Sequence, residues 1–356
     1  MNDYFCLLII TMIPTFDTGQ ILRIREFLNK PRKIVITTHH KPDGDAMGSS
    51  LGLYQYLHNK GHQVTVITPS DYPDFLYWMP GNDSVINFEY HPAKAKLLTE
   101  NAEMIFCLDF NTASRVEKYS EFILASKAMK ILIDHHLEPD NFCDITFSFP
   151  KSCATCELIY YFLLQLDGAD AINRPVAECL YTGIMTDTGS FRFASMTADT
   201  HMVISALMRS GASNFMIHEN IYDNFSLDRT RFLGHCIKDK LVVLPEYKTA
   251  YIVTTKEELK EYNHRSGDTE GIVNYALGIK GVRMAAYFCE RDHLIKISFR
   301  SKDDFSVNEL ARLHFSGGGH RNAAGGRSTD TLDNTITKFL DLLPSMKESL
   351  NPAGTL

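Results

Sequence analysis

The chain has 356 residues, 44% of them hydrophobic and 22% charged, with a formal net charge of -7. That length suits two globular domains, and the apolar content supplies a core for each. The acidic balance excludes a global basic field for long duplex DNA or an anionic membrane, so a nucleotide substrate would have to be gripped locally.

The eight cysteines are scattered, and Cys107 lies inside the apolar run Met104–Leu108. This is how reduced thiols are used, as small buried hydrophobes. Cys153 and Cys156 have a CxxC spacing, but no second pair accompanies them and they open an apolar helical pattern. They read as packing rather than as a zinc or redox site. Phe5–Met12 is apolar yet lacks a basic leader and is too short to span a bilayer, which makes Met12 an alternative start. A cytoplasmic enzyme with no membrane span is the expectation.

In chain order, Ile21, Ile24, Phe27 and Leu28 put one apolar face on a helix over 20–30. Strands are expected at Lys33–Thr38, Gln63–Thr68, Glu103–Phe110 and Ala128–Asp134. Helices are expected at Ala46–Asn59, Cys156–Leu166 and 174–186, the last ending in a turn at Thr186–Gly189. Such alternation predicts a largely parallel sheet covered on both faces, with functional groups in the loops beyond the strands' carboxyl ends. A helical stretch over 197–240 follows, then strands at Thr249–Thr255, Val282–Glu290 and Leu294–Arg300 with helices at 269–277 and 306–313. The expected architecture is therefore two α/β domains: a catalytic domain over 20–215, a helical connector over 216–245 and a smaller domain over 246–345.

The strongest chemical signal is His39-His40-Lys41-Pro42-Asp43-Gly44-Asp45, directly after the strand Lys33–Thr38. Two carboxylates and an imidazole can converge from one turn fixed by Pro42 and Gly44. That donor mixture suits Mn²⁺ or a similar divalent cation better than Ca²⁺. Asp109 follows the apolar strand Met104–Leu108; Asp134-His135-His136 closes another; Thr186-Asp187 follows the apolar Leu180–Met185. Four apolar segments each finish in Asp or His, and in a parallel sheet such ends share one edge. That gathers His39, Asp43, Asp45, Asp109, His135 and Asp187 into one crevice. Four carboxylates there would repel one another without cations. Two divalent ions about 3.5–4 Å apart would neutralise them and clamp an in-line displacement at phosphorus.

These residues resemble the DHH phosphoesterase superfamily, named for the Asp-His-His motif. The segment Gly317-Gly318-Gly319-His320-Arg321-Asn322-Ala323-Ala324-Gly325-Gly326 resembles the signature of its DHHA1 domain. Together they are similar to the NrnA-type branch, bifunctional oligoribonucleases and 3′-phosphoadenosine 5′-phosphate (pAp) phosphatases, over about residues 20–345. The resemblance implies that His39 and Asp43 hold one ion and Asp45 and His135 the other. Asp109 would bridge them, Asp187 would complete the cluster, and His136 would face the substrate phosphate or leaving group. Asp134 would orient a histidine ring. It also implies an active-site cleft between the two domains, short RNA and pAp as substrates, and it admits a homodimer.

The glycine-rich segment has its own physical reading, a loop whose backbone N–H groups at Gly318 and Gly319 reach a phosphate or ribose. His320 and Arg321 add donors, and Arg300 at a strand end is a further phosphate-binding candidate. The nine remaining histidines read as structural or solvated, and Trp78 with Tyr72, Phe75 and Tyr77 as a packed loop rather than a base-stacking platform. Alternatives sharing the catalytic motifs are an inorganic pyrophosphatase or exopolyphosphatase, which the Gly-Gly-Gly-His segment disfavours. A RecJ-like single-strand exonuclease is disfavoured by the short, acidic chain.

Overall fold

A computed structural model describes residues 14–351. The apolar stretch Phe5–Met12 and the alternative start at Met12 lie outside the described residues. The chain forms two compact units that divide between Asn224 and Phe225.

The first unit holds a six-stranded sheet: β1 (Lys33–Thr37), β2 (Gln63–Thr68), β3 (Ile86–Asn87), β4 (Met104–Leu108), β5 (Met129–Asp134) and β6 (Ile145–Ser148). Every pairing is parallel, and the order is β3-β2-β1-β4-β5-β6. Alternation along the strands explains their continuous apolar runs. Ile34 and Ile36 of β1, Phe106 of β4 and Ile131 of β5 join one core, whereas Val35, Ile105 and Leu132 join the core on the opposite face. A sheet buried on both faces needs no polar side. The strand order reverses between β1 and β4, and the crevice beyond their carboxyl ends is the place such sheets offer a ligand.

Three helices pack closely on one face: Gly44–Asn59, Thr155–Asp167 and Arg174–Asp187. Gly44, Gly48 and Gly52 recur every four residues and so share one helix face. A Cβ on Gly48 would lie 2.6 Å from the Cys179 carbonyl oxygen, and one on Gly44 would overlap Thr186 Oγ1 at 2.2 Å. From the other side, a Cβ on Gly183 would meet Cys156 Sγ at 2.1 Å. This close approach brings the amino end of the first helix to the carboxyl end of the third, and with them Asp45 and Asp187. Gly48→Ala is therefore expected to destabilise the first unit by about 1–3 kcal/mol, because backbone rather than a flexible side chain must yield. Urea unfolding checks this; an unchanged midpoint would show that the helices separate freely.

The second unit holds β7 (Leu241–Leu244), β8 (Thr249–Thr254), β9 (Met284–Glu290), β10 (Ile295–Ser301), β11 (Gly318–His320) and β12 (Ala323–Ser328). The order is β11-β12-β10-β9-β8-β7, with β8–β9 parallel and the other pairs antiparallel. Met284, Ala286 and Phe288 of β9 face a core with Phe339 and Leu343 of the helix Leu332–Leu350, while Ala285, Tyr287 and Cys289 face one with Phe232 and Ile272. The helix Leu227–Asp239 and strand β7 belong to this unit.

The structure corrects two expectations. The glycine-rich segment is not an open loop; it forms the β11–β12 pair, in which Gly318 faces Gly325 and Gly319 faces Ala324. A Cβ on Gly317 would fall 2.0 Å from the Gly325 carbonyl oxygen, so this glycine is required by its own hairpin. The helix expected over 174–186 is present as Arg174–Asp187, and Asp187 comes to the site from that helix end rather than from the end of a sheet strand. Among the described residues no helix is long and apolar enough to cross a membrane.

Candidate active site

β1 delivers His39 to the crevice. Its Nδ1 lies 3.0 Å from the His40 carbonyl oxygen, which can only accept, so Nδ1 carries a proton and Nε2 is turned to the carboxylates; against the cost of burial, Asp109 and Asp43 raise the ring's pKa. His135, after β5, is set in the same way by the Ser152 carbonyl at 3.1 Å. Both rings are buried.

Asp43 caps the helix Gly44–Asn59, its Oδ1 accepting from the N–H groups of Asp45 (3.0 Å) and Ala46 (3.1 Å). Its other oxygen, Oδ2, stands 3.9 Å from His39 Nε2. Asp45 is 1% exposed and is held by the start of the helix Thr155–Asp167. Its Oδ2 accepts from Thr155 N–H at 2.6 Å and its Oδ1 from Cys156 N–H at 2.8 Å. A helix amino end is a favourable seat for a carboxylate.

Asp109 follows β4 with φ 63, a left-handed conformation that Asp tolerates better than most residues. Its two oxygens face different imidazoles: Oδ2 stands 3.6 Å from His39 Nε2 and Oδ1 3.5 Å from His135 Nε2. Thr155 Oγ1 donates to Oδ1 at 2.9 Å. His135 Nε2 also stands 3.7 Å from Asp45 Oδ2 and 3.7 Å from Asp187 Oδ2. His39, Asp43 and Asp109 form one donor set and Asp45, His135 and Asp187 another, while Asp109 also groups with Asp134 and His136. Asp109 belongs to the first and reaches the second through Oδ1.

Separations of 3.5–3.9 Å are too long for hydrogen bonds. They are close to the about 3–3.6 Å between ligands that share an ion at bonds of about 2.0–2.2 Å. Electrostatics point the same way. Burial, then the charges of Asp109 and Asp187, pushes the Asp45 carboxyl well above the usual range. Burial pushes Asp187 up to about 6 against the attraction of His135, with Asp43 and Asp109 adding to the rise. At Asp109 the cost of burial is outweighed by His135 and His39, which hold it well below the usual range. The excess negative charge and the imidazole Nε2 atoms directed at it fit divalent cations, which would take the place of the ring protons.

Asp134 is fully buried and serves His136: its Oδ1 lies 2.7 Å from the ring Nδ1, and its Oδ2 accepts from the His136 N–H at 3.0 Å. His136 Nδ1 lies 3.8 Å from Asp109 Oδ1, so the ring borders the cluster.

In the second unit, Arg321 is exposed and donates from Nη2 to the Asp304 carbonyl at 2.8 Å. Arg300 lies in β10 and donates from Nη1 to the Phe299 carbonyl at 3.0 Å. Gly318, Gly319 and His320 form β11.

Sequence reasoning missed Thr155, Ser152 and Glu157. Glu157 is buried, its Oε2 accepting from Ser152 Oγ at 2.5 Å and its Oε1 from Thr200 Oγ1 at 2.7 Å. It thereby fixes the turn whose carbonyl orients His135. The Cys153–Cys156 spacing drew attention to the thiols, which are free and buried. The informative residue was the threonine between them, at a helix start beside a buried carboxylate.

Residues 33–184 match the DHH family, N-terminal domain, and residues 248–347 match the DHHA1 domain. The chain is also 38% identical to an exopolyphosphatase-related protein from Bacteroides fragilis, with a TM-score of 0.90 over 94% of this chain and 98% of that one. The chain belongs to the DHH family. It is a DHH-family phosphoesterase, and such enzymes are metal-dependent. Two curated relatives are named bifunctional oligoribonuclease and PAP phosphatase NrnA. The Bacillus subtilis protein is 29% identical over 298 residues, 82% of this chain and 88% of that protein. The Thermus thermophilus protein is 29% identical over 325 residues, 91% of this chain and 92% of that protein. The DHH match spans His39, Asp43, Asp45, Asp109, Asp134, His135 and His136 but stops three residues short of Asp187.

Proposed function

We propose that this DHH phosphoesterase hydrolyses very short RNA, down to dinucleotides, and pAp to mononucleotides, using two divalent cations, with Mn²⁺ as the preferred metal. The observation that carries the two-ion reading is Asp109, whose oxygens face separate imidazoles belonging to separate donor sets. His39 and Asp43 would hold one ion, Asp45, His135 and Asp187 the other, with Asp109 shared. Bound there, the ions would lower the pKa of water and neutralise charge developing at phosphorus.

The chain's own residues do the rest. The Thr155 and Cys156 N–H groups fix Asp45, and Thr155 Oγ1 fixes Asp109. Asp134 holds His136 with Nδ1 protonated, so that the ring can meet the substrate phosphate or leaving group. In the second unit Gly318, Gly319, His320, Arg321 and Arg300 would bind part of a nucleotide substrate. Arg321 would exchange its bond to Asp304 for a phosphate.

The substrate class rests on the family match together with the relatives' names. The name of the B. fragilis protein supports a second reading, cleavage of polyphosphate. A side-by-side rate measurement on dinucleotides, RNA up to about 24 units, pAp, pyrophosphate and polyphosphate at fixed salt separates them. The acidic chain offers no long basic track to reward extra length. A steep fall in kcat/KM is therefore expected between dinucleotides and RNA beyond about five units, with pAp hydrolysed. Efficiency that is level or rising with RNA length would contradict the proposal, and so would turnover confined to polyphosphate.

A further inference from the structure

The segments after β2 and β3 leave the parallel sheet at the same edge as His39 and Asp109. Between them lies an open cavity of about 210 Å³, whose lining includes Asp71, Tyr72, Tyr77, Asn87, Tyr90 and His91. The neighbouring aromatic residues Phe75 and Trp78 pack into the main core, as a packed loop should. Tyr77 and Tyr90 do not: they are 44% and 63% exposed.

Their rings are nonetheless held. Tyr77 Oη donates to Asp71 Oδ1 at 3.1 Å, and Tyr90 Oη stands 3.5 Å from Asp71 Oδ2. Tyr72 meets Tyr77 edge-on at 5.2 Å and donates from its own Oη to Asn82 Oδ1 at 2.7 Å. Asn87 Oδ1 accepts from the Glu89 N–H at 2.8 Å, which fixes the amide, and its Nδ2 is buried without a partner among the described residues. Two contacts tie this wall to the metal-binding turn. The Lys41 N–H donates to Ser70 Oγ at 2.7 Å, and His40 Nε2 stands 3.7 Å from Glu89 Oε1.

Exposed, anchored phenol rings beside a carboxylate and an amide, one turn away from a phosphate-cleaving cluster, match what a nucleobase needs. The rings offer π-faces, and the polar pair offers an acceptor and a donor to a base edge. We propose that this cavity is a nucleobase subsite, in which one base of a short substrate stacks on Tyr77 and Tyr90 while Asp71 and Asn87 meet its edge. The inference rests on the reading of the site as one that cleaves nucleotides. Stacking makes the subsite tolerant of sequence, because every base has a π-face. It also rewards a substrate with a base at this position over one with a bare phosphate chain.

The test is a cycle of two changes on the full-length, manganese-loaded protein. Wild type and the Tyr77→Ala, Tyr90→Ala double variant are compared on an adenine dinucleotide and on analogues in which either base is replaced by hydrogen. Both KM and equilibrium binding of a non-hydrolysable form are read. In wild type, loss of one particular base is expected to weaken binding about tenfold. In the variant the intact dinucleotide binds about tenfold more weakly, and loss of that base costs nothing further. A base penalty that persists undiminished in the variant overturns the subsite. If circular dichroism shows the double variant unfolded, Tyr90→Ala alone decides, since that ring can be removed from the surface without opening the core. Base-dependent binding without hydrolysis would contradict the proposed activity and leave the subsite standing; hydrolysis with an undiminished base penalty would do the reverse.

Discussion

Asp109→Asn is expected to lower kcat about a thousandfold or more while the protein stays folded. Asparagine is the natural probe here. It is nearly isosteric, it tolerates the left-handed backbone at φ 63, and its amide can still accept from Thr155 Oγ1. What it removes is the charge that faces His39 and His135 at once. If that carboxylate is shared between two ions, both lose affinity and their spacing is no longer fixed. A thousandfold loss corresponds to about 4 kcal/mol of transition-state stabilisation, a reasonable share for the group that positions both ions. Turnover measured alongside circular dichroism checks this. A folded variant with about half the wild-type rate would mean that Asp109 does not bridge.

Exhaustive chelation is expected to abolish hydrolysis, with Mn²⁺ restoring it better than Mg²⁺ or Ca²⁺, because the donors mix imidazole with carboxylate. Stability should respond as well. Without cations, Asp45 sits buried and Asp187 half-buried beside Asp109, and desolvation together with mutual repulsion disfavours their charged forms. A ligand that binds only the folded chain stabilises it by about 2.7 kcal/mol at a hundred times its dissociation constant. For a unit of this size that raises the midpoint of thermal unfolding by roughly 5–10 °C. Full activity with a measured metal content of nil would refute the mechanism. An unchanged midpoint on metal addition would show that the cluster is not where the metal binds.

Much of the first unit was legible in the sequence because its strands are buried on both faces and so read as unbroken apolar runs. Gln63–Thr68 was placed to the residue, and Lys33–Thr38, Glu103–Phe110 and Ala128–Asp134 to within one or two. The short edge strands Ile86–Asn87 and Ile145–Ser148 escaped, since two to four residues carry little periodicity. Glycine concealed β11 and β12. Gly317–Gly326 reads as a loop by propensity, and only the hairpin's close backbone approach explains why glycine is needed there. Of the site, the residues on strand ends and on the Asp43 turn could be placed on one edge from topology alone. Asp187 reached the same place by another route, through a helix end brought close by glycines on the facing helix. Thr155 could not be found, because its role depends on a contact with Asp45, 110 residues away. The exposed Tyr77 and Tyr90 could not be told from packing residues, because composition does not distinguish a ring in the core from one held at the rim.

Counting manganese and recording its electron paramagnetic resonance in one sample decides whether Asp109 joins two ions. The cluster predicts about two equivalents of manganese per chain, with the multiline signal of a pair coupled across about 3.5–4 Å. In Asp109→Asn the coupled signal should disappear. A single equivalent with the six-line spectrum of isolated Mn²⁺ in the fully active wild-type enzyme would contradict it.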